Sequence, residues 1–188
     1  MKSNIPLTKA LLILLVCYAH IATAQSIFVT HNGYIRFFSD TPILDIEGIN
    51  KSTTSIINTI TKEVSANLVI KEFQFDNSFM QEQFNTHYLE SDDYPDASFK
   101  GIINENIDFK KDGTYNISAS GKLSIHGVTR KKTITGTLTI QHQQATLNTK
   151  FTIKPNEFKV DIPEIVFNKI AEVMEVTIKF DYLLEQRP

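Results

Sequence analysis

The sequence predicts an all-β fold, an antiparallel up-and-down β-barrel of about eight strands with one or two short helices. Three observations predict it. Apolar and polar residues alternate strictly through most of the second half, short turn signals separate consecutive runs, and small residues recur on the faces that alternation turns inward. Alternation gives each strand one dry and one wet face, which antiparallel sheets accommodate and parallel sheets, buried on both sides, do not. A barrel and a sandwich both fit the strand count. Ala119, Gly121, Gly136 and Ala145 favour the barrel, where tight curvature or an internal space needs short side chains.

The earlier strands, over residues 34–39, 52–59 and 64–75, are the least regular. In the last of them Val64, Ala66, Leu68 and Ile70 alternate before the phase slips to Phe73 and Phe75, which predicts a bulge near Lys71. A helix follows. Ser78 and Gln81 resemble a capping box, and Met80, Phe84, His87 and Tyr88 fall on one face. Pro95 disfavours a helical residue before it, so Ser91-Asp92-Asp93-Tyr94-Pro95 ends the helix.

The regular strands come next. Tyr115, Ile117, Ala119, Gly121, Leu123 and Ile125 share one face; then Ile134, Gly136, Leu138 and Ile140; then Ala145, Leu147, Phe151 and Ile153; and finally Met174, Val176, Ile178, Phe180, Tyr182 and Leu184. Asp112-Gly113 suits a tight hairpin, and His142-Gln143-Gln144 is a second short connection, so consecutive strands form a meander. A second short helix or apolar loop is expected over residues 164–171.

Residues 1–24 read as a signal peptide. Lys2 and Lys9 precede an apolar run over residues 10–19, and Ala22-Thr23-Ala24 supplies a small-residue cleavage site before Gln25. The apolar run, about ten residues, is half what a bilayer span needs. A lipoprotein signal would need Cys17 at the cleavage site, but β-branched Val16 precedes it and the apolar run continues beyond. Residues 25–188 then form one cysteine-free domain in the periplasm or secreted, without disulfides or thiol chemistry. Losing Lys2 and Lys9 leaves a mature net charge of about −4, which disfavours nucleic acid as a partner. The densest cationic stretch, Arg130-Lys131-Lys132, reads as a strand-edge solubility device.

Two sequence blocks carry a family resemblance. Tyr88-Leu89-Glu90-Ser91-Asp92-Asp93-Tyr94-Pro95-Asp96-Ala97-Ser98-Phe99-Lys100-Gly101 and the later Gly121-Lys122-Leu123-Ser124-Ile125-His126-Gly127-Val128-Thr129 resemble the YceI-like family. Weaker echoes are Gly33-Tyr34-Ile35-Arg36-Phe37, Phe151-Thr152-Ile153 and Glu157-Phe158-Lys159-Val160. The resemblance implies a lipocalin-like barrel and a long amphiphilic ligand of the polyisoprenoid type held along its interior. The chain departs from the commoner pattern at Phe79-Met80-Gln81-Glu82-Gln83-Phe84 and over residues 161–171, both where a cavity mouth is expected.

Every second residue of a barrel strand points inside, so the candidate ligand-binding lining is Phe37, Leu68, Phe99, Tyr115, Ile117, Leu138, Phe151 and Phe180, with Met80, Phe84 and Tyr88 at the mouth. The same residues equally suit a solid core. No cofactor, metal site or catalytic residue is expected. His126 has no ligand partner beside it in sequence and reads as a turn residue bonding the backbone. His31, His87 and His142 are equally isolated, and Glu90, Asp92 and Asp93 read as a solvated run. The expectation is an exported, non-enzymatic binder that carries or sequesters a polyisoprenoid or other long apolar molecule; the sequence also permits a homodimer. Two alternatives stay open: an enzyme acting on an apolar substrate, favoured if His126 met Glu90 or Asp92 inside the barrel, and an interaction module with a solid core.

Overall fold

The computed structural model describes residues 25–41, 45–162 and 171–187. The signal-peptide reading of residues 1–24 and nearly all of the helix expected over residues 164–171 lie outside the described residues. Eight antiparallel strands close into one barrel in chain order. They are β1 (Gln25–Ser39), β2 (Ile46–Asn58), β3 (Glu63–Val69), β4 (Asp96–Ile103), β5 (Gly113–Ile125), β6 (Val128–Gln141), β7 (Gln144–Ile153) and β8 (Met174–Arg187), with β8 pairing back on β1. Among the described residues no helix is long and apolar enough to cross a membrane.

Two hairpins are set by two-residue turns with positive φ at both positions: His126 and Gly127 (51° and 69°) between β5 and β6, and His142 and Gln143 (49° and 63°) between β6 and β7. Such turns match the right-handed twist of the strands they join. Asp112-Gly113 does not form a tight hairpin. β5 begins at Gly113, so β4 and β5 are joined by residues 104–112. Asp108 makes the turn in that loop, its carbonyl accepting from Lys111 N at 3.1 Å and its carboxylate from Lys110 N at 3.0 Å. Asp112 instead accepts from His142 N of the neighbouring hairpin at 3.2 Å. The loop closes one end of the barrel by seating Phe109 against Phe28, ring centroids 6.3 Å apart.

The phase slip after Ile70 is a turn, not a bulge. β3 stops at Val69, a 3-10 turn spans Ile70–Glu72, and Gln74 then bridges to Ile49 of β2 through hydrogen bonds of 2.8 and 3.0 Å. The bulge lies in β1, where the register shifts between Thr30 and Gly33 and again before Ile35. That irregularity breaks the alternation and hides the first half of β1 from a period-two reading.

The helix α1 (Ser78–Gln83) starts one residue earlier than the capping-box reading implies. Asn77 is the N-cap, its side-chain oxygen accepting from Phe79 N at 2.8 Å and Met80 N at 3.4 Å. α1 then widens into a π turn over Phe84–Tyr88, with Leu89 N bonded to Phe84 O at 2.8 Å. The wider turn leaves His87 exposed while Phe84 and Tyr88 stay packed on the core, so His87 is not on the apolar face.

At the closed end Phe28, Ile57, Ile103, Leu138, Phe180 and Tyr182 are buried to 2% exposure or less. Ser55 donates to Ser65 O at 2.7 Å, so Tyr182 donates to Ser55 at 2.8 Å, and burial holds the Tyr182 hydroxyl far above the usual tyrosine range. Glu105 ties the closing loop to β5, accepting from Ser118 N at 2.7 Å and Ser118 Oγ at 2.8 Å. Those two bonds, the backbone one first, hold its carboxyl below its ordinary 4.5. A lowered folded-state pKa contributes stability that is complete above the unfolded value and fades as pH falls through the folded one. Glu105→Gln is therefore expected to lower the urea midpoint at neutral pH and to flatten its decline as pH falls from about 4.5 through the lowered folded value. An unchanged acid slope would refute the assignment.

Candidate functional site

Ladder pairing decides where the barrel is solid and where it opens. β2 and β3 pair only from Thr54–Asn67 to Ile57–Val64, and β6 and β7 only from Gly136–Thr149 to Gln141–Gln144. Beyond those limits, toward the end carrying Ile46, Val69, Ile125 and Ile153, both strand pairs part. Two seams result.

Side chains bridge each seam. At the first, fully buried Asn50 of β2 donates to Val69 O at 3.2 Å and accepts from Ser52 N at 3.0 Å and Thr53 Oγ1 at 3.1 Å. At the second, Lys132 donates to Thr152 O at 2.7 Å and Arg130 Nε to Glu157 O at 2.9 Å, the latter in a 3-10 turn over Pro155–Phe158. The Lys132 ammonium also lies 5.5 Å from the Phe151 ring. Arg130 and Lys132 are thus ties across the β6/β7 seam rather than free surface charges. Their inward parity on β6 could have signalled this.

The flared half holds a cavity of about 380 Å³. Seven of the eleven sequence-derived lining candidates form its wall: Phe37, Leu68, Phe99 and Phe151 on strands, and Met80, Phe84 and Tyr88 on α1 and its π turn. Tyr115, Ile117, Leu138 and Phe180 do not. Tyr115 lies toward the far end, its hydroxyl donating to Lys111 O at 2.9 Å, and the other three fill the closed half. Period two identifies the inward face of a strand but not the level at which the lumen is filled.

Residues outside the regular strands complete the wall, among them Ile70, Phe73 and Phe75 after β3, and Pro155, Phe158 and Val160 after β7. Ile70 ends the alternation of β3, whereas the others lie where the alternation lapses, so period two could not find them. Phe37 is the hub of an aromatic cluster: it stacks on Phe84 at 5.3 Å and 16°, and meets Phe73 and Phe75 edge-on at 5.4 and 5.6 Å. Phe79 also borders the cavity yet is 64% exposed, which places it at the mouth.

No Asp, Glu, Lys, Arg or His lines the cavity among the described residues. Its few polar neighbours include Thr53, already bonded to Asn50, and Asn77, already capping α1. Burial raises the Tyr88 phenol above its ordinary range, as an apolar setting does.

His126 does meet Glu90, Nε2 to Oε2 at 2.8 Å, and its Nδ1 lies 3.2 Å from Phe158 O. Neither His126 nor Glu90 lines the cavity. The contact instead fastens the loop after α1 to the β5–β6 turn, with Tyr94 edge-on to the imidazole at 4.4 Å. A side chain at Gly127 would collide with the Tyr94 ring. The Tyr94-Pro95 block and the His126-Gly127 block therefore meet in space, a pairing that a separation of 36 positions between Glu90 and His126 conceals in the sequence. Asp92 pairs with Lys71 on the surface. Among the described residues no group of three or more His, Cys, Asp or Glu is placed to hold a metal.

Fold and site together define a lipocalin-like, eight-stranded barrel with a cavity in one half that the described residues line without a charge. The chain belongs to the YceI-like domain family, whose model matches residues 21–182. Three solved structures share the fold at low identity. A polyisoprenoid-binding domain from Saccharophagus degradans, implicated in plant cell wall breakdown, is 12% identical over 86% of this chain and 98% of its own, with a TM-score of 0.72. Burkholderia cenocepacia BcnA is 18% identical over 81% and 96% respectively, with a TM-score of 0.65. The Campylobacter jejuni YceI protein is 15% identical over 75% and 84%, with a TM-score of 0.55. No curated protein matches the chain.

Proposed function

We propose that the protein is an exported, non-enzymatic carrier that holds an isoprenoid- or lipid-like molecule in the flared half of its barrel. The observation that carries this reading is the cavity of about 380 Å³ with no charged side chain in its wall among the described residues. Each methylene moved from water into such a space gains about 0.8 kcal/mol, so a short hydrocarbon chain binds without one specific hydrogen bond. Phe37, Leu68, Met80, Phe84, Tyr88, Phe99 and Phe151 are the side chains assigned to ligand contact, and the polyisoprenoid binding named for the Saccharophagus domain supports the ligand class. The leader pattern of residues 1–24 supports delivery to the periplasm or the exterior.

A catalyst would need polar groups aimed at the bound molecule. The Glu90–His126 pair lies off the cavity wall, and this favours carriage over chemistry. The test is organic extraction of protein purified natively from its own host, followed by mass spectrometry. An apolar molecule recovered in near-stoichiometric amount is expected. Extracts without one, together with no binding of added isoprenoid alcohols, would overturn the proposal.

A further inference from the structure

The cavity ends abruptly halfway along the barrel. On β8, Met174, Val176 and Ile178 line it, and Phe180, the next inward residue, does not. On β1, Phe37 and Ile35 line it, and the next inward position is Gly33. The same boundary falls below Thr53 on β2, Ala66 on β3, Phe99 on β4, Leu123 on β5, Ile134 on β6 and Phe151 on β7.

The residues just below that boundary form an unusual belt. They are Gly33, Ser55, Val64, Gly101, Gly121, Gly136, Thr149 and Phe180 on β1 to β8 in turn. Four are glycine, and the Ser55 and Thr149 hydroxyls are turned to wall carbonyls, those of Ser65 and Thr135. The Phe99 ring covers the belt at Gly101, where a Cβ would come within 2.9 Å of it, and the side at Gly33 is left to another residue. Phe180 carries the one ring in it, and that ring lies over Gly33: a Cβ there would come within 2.5 Å of two ring carbons and 2.9 Å of Thr53 O on β2. The ring thus reaches from β8 across β1 toward β2, in space that only glycine leaves free. Phe180 is 2% exposed and is backed edge-on by Tyr182 at 6.0 Å.

We infer that Phe180, seated on Gly33, is the floor of the cavity and sets the length of isoprenoid chain that it accepts. The inference rests on the carrier reading and adds a length rule to it. At about 30 Å³ per water-sized group, the cavity holds roughly a dozen heavy atoms, or two to three isoprene units. Phe180→Ala removes six ring carbons, close to the five of one isoprene unit. Below it the barrel is solid, so the floor drops by one step instead of opening a through-channel.

The experiment measures dissociation constants of isoprenoid alcohols of two, three, four and eight units with the mature protein. Wild-type affinity is expected to rise at least tenfold per added unit up to about the third and then level off, because later units stay in solvent. In Phe180→Ala the plateau is expected one unit later, with an affinity gain of about tenfold or more for the four-unit alcohol. Ile178→Phe, at the next inward position above the floor, is expected to bring the plateau one unit earlier, and it decides the matter if Phe180→Ala does not fold. Wild type that climbs steadily to eight units, or plateaus unmoved in the folded variants, would overturn the floor while leaving the carrier intact. Wild type that binds none of the alcohols would overturn both.

Discussion

Phe37→Ala is expected to lower the unfolding free energy by about 3–5 kcal/mol, the range for emptying a buried phenylalanine site. The side chain is 8% exposed and is the shared partner of Phe73, Phe75 and Phe84. Those three come from the segment after β3 and from the π turn, which are tied to the barrel by one backbone bridge, Gln74–Ile49, and otherwise depend on side-chain contacts for their position. The truncation therefore leaves a void and also undocks α1 from the mouth. Urea denaturation measures the first effect, and loss of isoprenoid-alcohol binding measures the second. Phe79→Ala, at a 64% exposed site in the same element, is the control and is expected to change stability by no more than about 0.5 kcal/mol. A Phe37→Ala protein as stable as that control would show that the cluster contributes nothing to the fold.

Gly121→Ala is expected to be at least as damaging, for a different reason. A Cβ at Gly121 would lie 2.2 Å from Lys100 O and 2.5 Å from Gly101 Cα, both backbone atoms of β4. Flexible side chains can yield to an added methyl group, but a paired strand cannot do so without breaking its ladder. Overpacking in a well-formed core costs about 1–3 kcal/mol, and a backbone collision belongs at or above the top of that range. Gly113→Ala is the matched comparison. Its nearest neighbour is the Tyr115 hydroxyl at 3.3 Å, and its φ is not positive. That substitution is expected to be near neutral, with any gain of about 0.4–1 kcal/mol arising from the unfolded chain. Equal melting temperatures for Gly121→Ala and wild type would refute the close approach of β4 and β5.

Much of this architecture is legible in the sequence because β5 to β8 alternate over most of their length, with Thr149, Arg130 and Lys132 the polar exceptions at inward positions. From Tyr115 to Ile125 every second residue faces the interior, and the pattern needs only local geometry to read. The parts that resist reading depend on long-range packing. The slip at Ile70 has the same sequence signature as a bulge, and only the parting of β2 from β3, with Asn50 bonded to Val69 O, makes it a turn. Asp112-Gly113 has the composition of a tight hairpin, yet Phe109 draws the preceding loop over the barrel end. The cavity was half legible: the inward faces were found, but Ile117 and Leu138 look no different in sequence from Phe99 and Phe151, which differ from them by position along the barrel axis.

The two seams bear on how the barrel can yield. In the closed half every strand is paired with both neighbours by main-chain hydrogen bonds, with the β1/β8 ladder interrupted between Val29 and Tyr34, so widening it means breaking ladders cooperatively. In the flared half the described ties across the β2/β3 and β6/β7 edges are single side-chain bonds from Asn50, Ser52 (to Glu72), Lys132 and Arg130, and one isolated bridge at Ile49–Gln74. The protein is thus stiff at its base and compliant at its rim. The rim can widen by a few side chains letting go and re-forming their bonds, while the ladders of the base stay intact.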